Sequence, residues 1–428
     1  MKRFSRYLTG LAVCAIAAPA LAGSYQLNDY SVTGLGRAYA GQGVVGDDYS
    51  AIAFNPAGMM AVKRSGVQAG MTFVNLKSNI HSLDEKPLSG VAPGQKYKMD
   101  FWAPVPNVFA QYNLNDKWAV GLGVYAPYGL KTLYDSDWFG SNTAILSKLD
   151  VIDINASVAY RISQKWSVGF SAIARYIYGH MTNTLSSAVG GGYSDFELDG
   201  WTRTGSVGVM YEPTKDTRIG LSYRLRSTQQ VKGDHKISGN GAGFNEVAVG
   251  RASPALPETV TLSGYHRYKD VGFSGTARWT HWSQSFPHFT MKSESKLFGY
   301  LSTVPAGQAS GIAGSAKTSK YAYTNSWTLT AGLDWYYNKN WTFRCGTGYD
   351  ESPAHKSTAR TIRIPDNDRF WLSVGASYIR DNWQIDAAYG HMFGRAGKAL
   401  ESSDQTAAAV KYKDLRSNIL GLQVQYKF

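Results

Sequence analysis

Cysteine is nearly absent from this 428-residue chain, which holds only Cys14 and Cys345. Two cysteines cannot build a disulfide framework of the kind that stabilises many exported domains. Long apolar runs are also missing: beyond the N-terminus no run of about 18 apolar residues occurs, so no transmembrane helix is predicted. The chain is nevertheless rich in aromatic residues and glycine, with 28 Tyr, 17 Phe, 12 Trp and 45 Gly. This composition is compatible with a membrane β-barrel, a soluble β-solenoid or a β-sandwich. Only the strand pattern can distinguish these three classes.

The first 22 residues have the pattern of a secretory signal peptide. Three basic residues precede an apolar core at 8–18, and Ala20-Leu21-Ala22 forms a small-residue cleavage site. A lipoprotein signal is the weaker alternative, because Val13 is large for the position before Cys14. We therefore predict that residues 1–22 are removed on export.

Short polar turns recur roughly every fifty residues along the rest of the chain. Four of them lead directly into tryptophan, and two lack it; they lie just before Trp118, Trp166, Trp341 and Trp383 and at 213–216 and 268–270. Longer loops rich in Gly, Ser and charged residues separate these six turns. Six short turns, the longer loops between them and the flanking strands predict fourteen strands, with both chain ends on the side of the short turns.

Apolar and polar residues alternate within the strands. In the last strand, Leu420, Leu422 and Val424 alternate with glycine and glutamine, so one face suits lipid and the other suits a polar lumen. Hydrocarbon cannot satisfy a free sheet edge, so the strands must close. Short turns at one end, long loops at the other and tryptophan at headgroup depth are typical of outer-membrane barrels. We predict an all-β membrane protein, a 14-stranded antiparallel transmembrane β-barrel in the outer membrane of a Gram-negative bacterium.

The segment before the first strand, residues 23–64, has no strand alternation and is rich in glycine and alanine. Its glycines permit tight reversals, its alanines permit short helices, and Asn55-Pro56 ends any helix. At about 40 residues it is too short to hold a core of its own in water. We predict a partly helical hatch at 23–64 that plugs the lumen of a barrel formed by residues 65–428.

Several arginines fall on the lumen-facing side of the predicted strands: Arg175, Arg218, Arg224, Arg226, Arg278, Arg344 and Arg369. A guanidinium can orient a passing carboxylate, or it can pair with acids of the barrel and with Asp47 and Asp48 of the hatch. Pairing is the favoured role for any one of them, and Arg175 is the nearest candidate for contact with a ligand carboxylate. Basic residues of the outer loops suit lipopolysaccharide phosphates and substrate equally.

Catalytic, metal and cofactor sites are not predicted. His281 and His391 fall on the lipid-facing side without a serine beside either, and Cys345 shares the apolar face of its strand. No metal-ligand spacing and no nucleotide motif occur. We expect neither an enzyme nor a nucleic-acid-binding protein.

Short motifs distributed from the mature N-terminus to the last strand resemble the FadL family of long-chain fatty acid transporters. They are Gln26-Leu27-Asn28, 34–39, Asp47-Asp48, Asn55-Pro56-Ala57, 340–344, 352–353, Ile364-Pro365-Asp366 and 368–373. The resemblance implies a hatched fourteen-stranded barrel for passive uptake. A hydrophobic ligand would land in a groove of the outer loops, enter an internal pocket and leave sideways at a kink in the third strand.

The resemblance also assigns residues to these steps. Asn55-Pro56-Ala57 would form the gate beside the kink at Pro127-Tyr128-Gly129, where proline and glycine also favour an interruption of the ladder. Gly23-Ser24-Tyr25 would plug the internal pocket, with Tyr25 as a stand-in for ligand. The lumen residues that could bind the carboxylate of a ligand are still Arg175, Arg224, Arg278, Arg344 and Arg369.

The expected partners are a long-chain fatty acid or another hydrophobic small molecule, outer-membrane lipid and lipopolysaccharide. The barrel assembly machinery would recognise the terminal Phe428, and a monomer is expected. Two alternatives stay open: uptake of aromatic hydrocarbons, which the loops between about 182 and 253 would decide, and a general diffusion porin. A surface hydrolase using His391 ranks third.

Overall fold

The computed structural model describes residues 24–83, 92–185, 191–239, 245–284, 288–295, 316–320, 322–400 and 408–428. Fourteen antiparallel strands form a closed barrel in which each strand pairs with the next and β14 returns to β1. The strands are β1 Gly66–Ser82, β2 Lys96–Asn113, β3 Trp118–Leu133, β4 Leu146–Arg161, β5 Trp166–Leu185, β6 Gly192–Thr214, β7 Thr217–Arg224, β8 Thr259–Tyr268, β9 Val271–Thr280, β10 Ser326–Tyr336, β11 Trp341–Asp350, β12 Arg369–Arg380, β13 Trp383–Gly394 and β14 Val410–Lys427. The predicted strand count and barrel are confirmed.

The six short connections all lie at one end of the barrel, as the turn pattern predicts. Trp118, Trp166, Trp341 and Trp383 each begin a strand at this end and point outward, with 39% to 53% of each residue exposed. Such an aromatic ring on the outside of a barrel suits the level of lipid headgroups. The longer connections at the other end hold additional short strands, at Ser227–Thr228, Val231–Ser238, Asn245–Ala252, Ala255–Leu256, His288–Ser293, Ala316–Lys320 and Gly397–Ala399.

The two faces of the wall differ in polarity. On β14, Leu420, Leu422 and Val424 are 41% to 61% exposed on the outside, whereas Gln423 and Gln425 are buried on the inside. Cys345 is exposed on the outer face of β11, as its strand parity predicts. Large apolar side chains in a continuous exposed band indicate contact with lipid. Among the described residues, no helix has the length and hydropathy needed to cross a bilayer.

The chain from Ser24 to Arg64 lies inside the barrel and is almost wholly buried. It contains helix α1 (Val32–Gly36), helix α2 (Ala51–Phe54) and a 3-10 helix (Pro56–Ala61). Ser31 caps α1 by accepting a 2.8 Å hydrogen bond from the Gly34 amide. Packing against the wall, rather than helix propensity, holds such short helices in place. The boundaries of a hatch and a barrel domain stay a prediction.

Glycine on the inner face of the wall lets the hatch backbone approach closely. A Cβ at Gly346 would lie 2.3 Å from the carbonyl carbon of Arg37, and one at Gly375 would lie 2.7 Å from the Cα of Gly36. Contacts that close leave no room for a side chain on β11 or β12. The fit between hatch and wall therefore depends on glycine at these positions.

Candidate functional site

The wall of the barrel opens between β2 and β3. Their ladder runs only from Val108 to Asn113 on β2, paired with 119–124 on β3. Beyond Val124, β3 stays paired with β4 as far as Leu133 but separates from β2. Within the described residues, β2 therefore pairs with β1 alone from Lys96 to Asn107.

The N-terminal segment takes the place of β2 along the inward-turned part of β3. Gln26 forms an antiparallel bridge with Tyr128. The Leu27 amide donates to the Pro127 carbonyl at 2.9 Å, and the Gly129 amide donates to the Tyr25 carbonyl at 2.9 Å. Proline at 127 has no amide hydrogen to lose, and a register shift between Tyr125 and Tyr128 marks the bend. The predicted interruption at Pro127-Tyr128-Gly129 thus coincides with the gap in the wall.

Tyr25 is enclosed by other aromatic side chains. Only 1% of it is exposed, and its ring centre lies 5.0 Å from that of Trp282 and 6.0 Å from that of Tyr128. Ser24 Oγ lies 3.2 Å from the Tyr323 hydroxyl, whereas Gly23 lies outside the described residues. The tip of the N-terminal segment is therefore held inside a pocket.

Beside the Tyr25 ring remains a cavity of about 80 Å³, whose lining is almost entirely apolar. Its aliphatic wall comes from strands β3, β4, β5 and β6 and from the outer segments, through Leu130, Leu149, Ile177, Met181, Leu198, Val231 and Ile364. Arg363 also lies in the lining, whereas Lys148 borders the cavity through its backbone and directs its side chain to the outward face of β4. Lys148 pairs with Asp150 at 2.8 Å, and Arg363 donates to the Thr143 carbonyl and to Ser147 Oγ. The arrangement suits a long apolar ligand with an anionic end.

Arg175 and Arg224 are both buried and share one carboxylate, Asp153. Arg175 contacts it through two nitrogens at 2.6 and 2.9 Å, and Arg224 through one at 2.8 Å. Arg224 also donates to the Ala53 carbonyl of α2 at 2.7 Å and to the Tyr125 hydroxyl at 2.9 Å. These bonds connect the hatch to the residue of β3 at which the strand bends. Neither arginine lines the apolar cavity.

Arg344 belongs to a second buried group of charges that joins the hatch to the wall. In this group, Arg37 contacts Asp47 at 2.7 Å and Asp334 at 2.6 Å, and Arg344 contacts Asp334 at 2.8 Å and Asp47 at 3.1 Å. Burial opposes ionisation of Asp47, but Arg37 and Arg344 hold its pKa well below the usual value. Two positive and two negative groups thus compensate one another across β10, β11 and the hatch.

The remaining predicted arginines have different surroundings. Arg369 pairs with Asp366, and Arg218 lies 3.3 Å from Glu212. Arg278 donates to Asn28 and Thr328 and has no carboxylate within 4.0 Å among the described residues. The predicted inward position of Arg226 is wrong: the residue is exposed, because it lies beyond the last residue of β7 and the strand alternation no longer applies.

Asn55-Pro56-Ala57 contacts β5, β6 and β7. Asn55 Nδ2 donates to the Val209 carbonyl at 3.3 Å, and its Oδ1 accepts from the Ala57 amide at 3.1 Å. A Cβ added at Gly169 would lie 2.4 Å from the Ala57 nitrogen, so the turn lies directly on the wall. The turn was expected to lie beside the kink in the third strand, but its direct neighbours are on β5, β6 and β7. The hatch is linked to the kink through Arg224 instead.

Some features of the site were not recognised in the sequence. Pro104 and Pro106 on β2 are two residues apart, so their missing amide hydrogens fall on one edge of the strand, which is a signal for an edge. Arg363 directly precedes the Ile364-Pro365-Asp366 motif, but its side chain was not considered.

A closed barrel with a filled lumen, an internal apolar cavity and a gap in its wall is the architecture of an outer-membrane transport protein for hydrophobic molecules. Residues 13–428 match the family described as "Outer membrane protein transport protein (OMPP1/FadL/TodX)". The chain belongs to this family, and its location is the outer membrane. The family is one of transporters and channels rather than enzymes.

Known relatives agree in length as well as in sequence. The "Long-chain fatty acid transport protein" of Escherichia coli (strain K12) is 28% identical over 451 residues, with 94% of this chain and 95% of the relative covered. The structure of a Pseudomonas aeruginosa FadL homologue has a TM-score of 0.81 at 21% identity, covering 95% of this chain and 100% of that one. The Pseudomonas putida toluene transporter TodX has a TM-score of 0.69 at 16% identity, with 95% and 100% covered. These two structures establish a shared fold.

The histidines considered for catalysis have structural partners. His281 Nδ1 lies 2.6 Å from Glu258, and His391 Nδ1 lies 2.8 Å from Asn418 Oδ1. In the described part of the chain, no group of three His, Cys, Asp or Glu side chains is placed to hold a metal ion.

Proposed function

We propose that the protein carries long-chain fatty acids passively across the outer membrane. The observation that carries this proposal is the apolar cavity beside Tyr25, with Arg363 in its lining. An aliphatic tail needs such a lining, and a carboxylate needs a cation at one end of it. The printed name of the Escherichia coli relative describes the same class of ligand.

The hydrophobic effect supplies the driving force for capture. Each buried CH₂ contributes about 0.8 kcal/mol, so a sixteen-carbon chain gains on the order of 10 kcal/mol in an apolar site. That gain holds the ligand in the site against return to water, whereas exchange of the acyl chain between the leaflet and the site is nearly neutral. Release then requires the site to weaken, because no nucleotide motif offers another energy source.

Displacement of the N-terminal segment would both admit and release the ligand. The aromatic ring of Tyr25 occupies space next to the cavity, and the backbone of Tyr25 and Leu27 bonds β3 along the gap in the wall. A ligand that replaces the ring would free this segment from β3. Rearrangement of the hatch, transmitted through Arg224 and Tyr125, would then widen the gap between β2 and β3 for lateral exit.

Filling the cavity tests the proposal. A Cβ at Gly179 would lie 4.0 Å from its nearest neighbour, so Gly179→Leu places a side chain in the cavity without a backbone clash. We expect uptake of radiolabelled oleate by cells that lack other fatty acid transporters to fall at least tenfold. The control variant Ala174→Leu adds the same side chain on the exposed face of β5.

Unchanged oleate uptake by a folded Gly179→Leu protein would contradict the proposal. Toluene uptake measured in the same cells tests the aromatic alternative, which the fold shared with TodX supports. A cavity variant that loses toluene uptake and leaves oleate uptake unchanged would favour that alternative.

A further inference from the structure

A concentration of basic residues covers the outer surface of β14, β1 and β2 next to the long loops. The register of the three strands arranges their outward residues in rows. Arg416, Lys77 and Asp100 form the first row, Lys413, Asn79 and Lys98 the second, and Lys411, His81 and Lys96 the third. Lys398 of the short strand Gly397–Ala399 lies opposite Lys411 and extends the third row. We call the six cations of these three rows, Lys77, Lys96, Lys98, Lys411, Lys413 and Arg416, the basic surface.

A β-bulge in β14 turns two of these lysines outward. The register shifts between Lys77 and Asn79, where β14 contributes one extra residue, and Asp414 at the bulge has a positive φ of 53°. The bulge reverses which residues face outward, so Lys413 is exposed and Tyr412 is buried. Without the bulge, the alternation of residues 416–427 of β14 would continue and would direct Lys411 and Lys413 into the lumen.

Among the residues that the structure describes, few carboxylates offset these charges. Lys77 pairs with Asp100 at 3.1 Å, and Asp414 accepts a hydrogen bond from Asn79. The ammonium groups of four lysines have no carboxylate within 4.0 Å among the described residues; they are Lys96, Lys98, Lys411 and Lys413. Like charges on neighbouring strands destabilise a sheet. The arrangement therefore favours an external anion that contacts several lysines at once.

The position of the rows relative to the membrane specifies where this anion would lie. The next row toward the short turns is Asn418, Asn75 and Trp102, and the one after it contains Leu420 and Phe73. The basic rows thus begin where the apolar band ends, at the end of the barrel that carries the long, external loops. Rows two residues apart are separated by about 7 Å, so three rows extend for about 14 Å along strands that lie about 4.8 Å apart.

We propose that the basic surface binds the phosphorylated saccharide headgroup of an outer-leaflet glycolipid, that is, lipopolysaccharide. Its charge complements several phosphates, and its size suits a disaccharide rather than one small anion. Because the surface faces sideways above the apolar band, its occupant must also place acyl chains against Phe73 and Leu420 below it. A soluble acidic protein cannot meet that second requirement. This inference does not depend on which ligand the barrel transports.

Native mass spectrometry of the purified full-length protein, titrated with bisphosphorylated lipid A, tests the proposal. The variant carries Lys→Gln at positions 96, 98, 411 and 413 of the basic surface. We expect its lipid A affinity to fall at least tenfold, and we expect wild-type binding to weaken as salt is added. The matched control carries Lys→Gln at four exposed lysines of the short turns, Lys117, Lys165, Lys215 and Lys339, and keeps wild-type affinity.

A second arm uses lipid A from which both phosphates have been removed, and a third uses phosphatidylglycerol. Wild-type protein is expected to bind both at least tenfold more weakly than the bisphosphorylated glycolipid. Equal loss of binding in the two quadruple variants would overturn the proposal, because net charge alone would then explain it. Equal affinity for dephosphorylated lipid A or for phosphatidylglycerol would also overturn it.

Discussion

Charged side chains inside the barrel differ in whether a buried carboxylate already compensates them. Arg175 and Arg224 are compensated by Asp153, and Arg344 takes part in the four-charge group with Arg37. A fatty acid carboxylate that approached these arginines would compete with buried carboxylates already in place. Arg363, by contrast, lines the apolar cavity. Under the proposed function, recognition of the carboxylate would belong to this arginine, which lies outside the strands and was not selected by strand parity.

Removal of the Arg363 charge is expected to weaken binding of a fatty acid and not of its alcohol. A partly exposed ion pair contributes up to about 1 kcal/mol, which corresponds to about a fivefold change in affinity. Arg363→Met should therefore weaken oleate binding about fivefold and leave oleyl alcohol binding unchanged, as measured by displacement of a fluorescent fatty acid. Lys148→Met is the control, because the Lys148 side chain pairs with Asp150 on the outward face of β4. Equal losses for oleate and oleyl alcohol would show that Arg363 acts through packing.

Strand parity predicted the inward direction of most arginines and failed where a strand ended. Arg224 is the last residue of β7 and points inward, whereas Arg226 lies beyond it and is exposed. The bulge at Asp414 has a similar effect on β14, because one additional residue reverses the alternation. Strand ends and bulges depend on pairing with a distant partner, which a local pattern does not contain.

At the scale of secondary structure elements, β3 is the part of the wall that departs from a regular barrel. Pro127 and Gly129 indicate an interruption from sequence alone. The replacement of β2 by the N-terminal segment was not predictable in the same way, since it joins residues about a hundred positions apart. Pro104 and Pro106 provide the one local signal that β2 has a free edge.

A disulfide between the N-terminal segment and β3 should stop transport. Gln26 and Tyr128 are directly opposed, and the flanking hydrogen bonds make them a non-hydrogen-bonded pair, whose Cα atoms lie about 4.5 Å apart. That separation suits a disulfide. The oxidised Gln26→Cys/Tyr128→Cys protein should take up oleate at least tenfold more slowly than the same protein after reduction.

The native Cys345 should not form a disulfide with either introduced cysteine, because it faces outward on β11. A matched disulfide at Tyr112 and Val120, which pair on the exposed side of β2 and β3, should leave uptake unchanged. If oxidation of the first pair had no effect, displacement of the N-terminal segment would not be part of the transport cycle.

For the whole molecule, the fit between hatch and wall matters more than either part alone. Short turns, post-turn tryptophans and alternation predicted the barrel, because each is a local property that recurs along the chain. The contacts of Asn55-Pro56-Ala57 with β5, β6 and β7 could not be predicted, because they depend on how the hatch is oriented in the lumen. Glycines such as Gly346 lie where the hatch contacts the wall. In a sequence, however, a glycine within a strand indicates only that some other chain segment approaches closely, not which one.

A sealed lumen distinguishes this protein from a general diffusion porin. Buried hatch residues fill the interior, and Arg37 and Asp47 bind it to β10 and β11, so wild-type protein in a planar bilayer should show little steady conductance. Deletion of residues 24–62 should raise single-channel conductance on the order of tenfold. The barrel should survive the deletion, because Arg344 and Asp334 still compensate each other. Asp334→Asn keeps the hatch but weakens its attachment, and brief openings are expected. A wild-type conductance equal to that of the deletion variant would show that the hatch does not close the lumen.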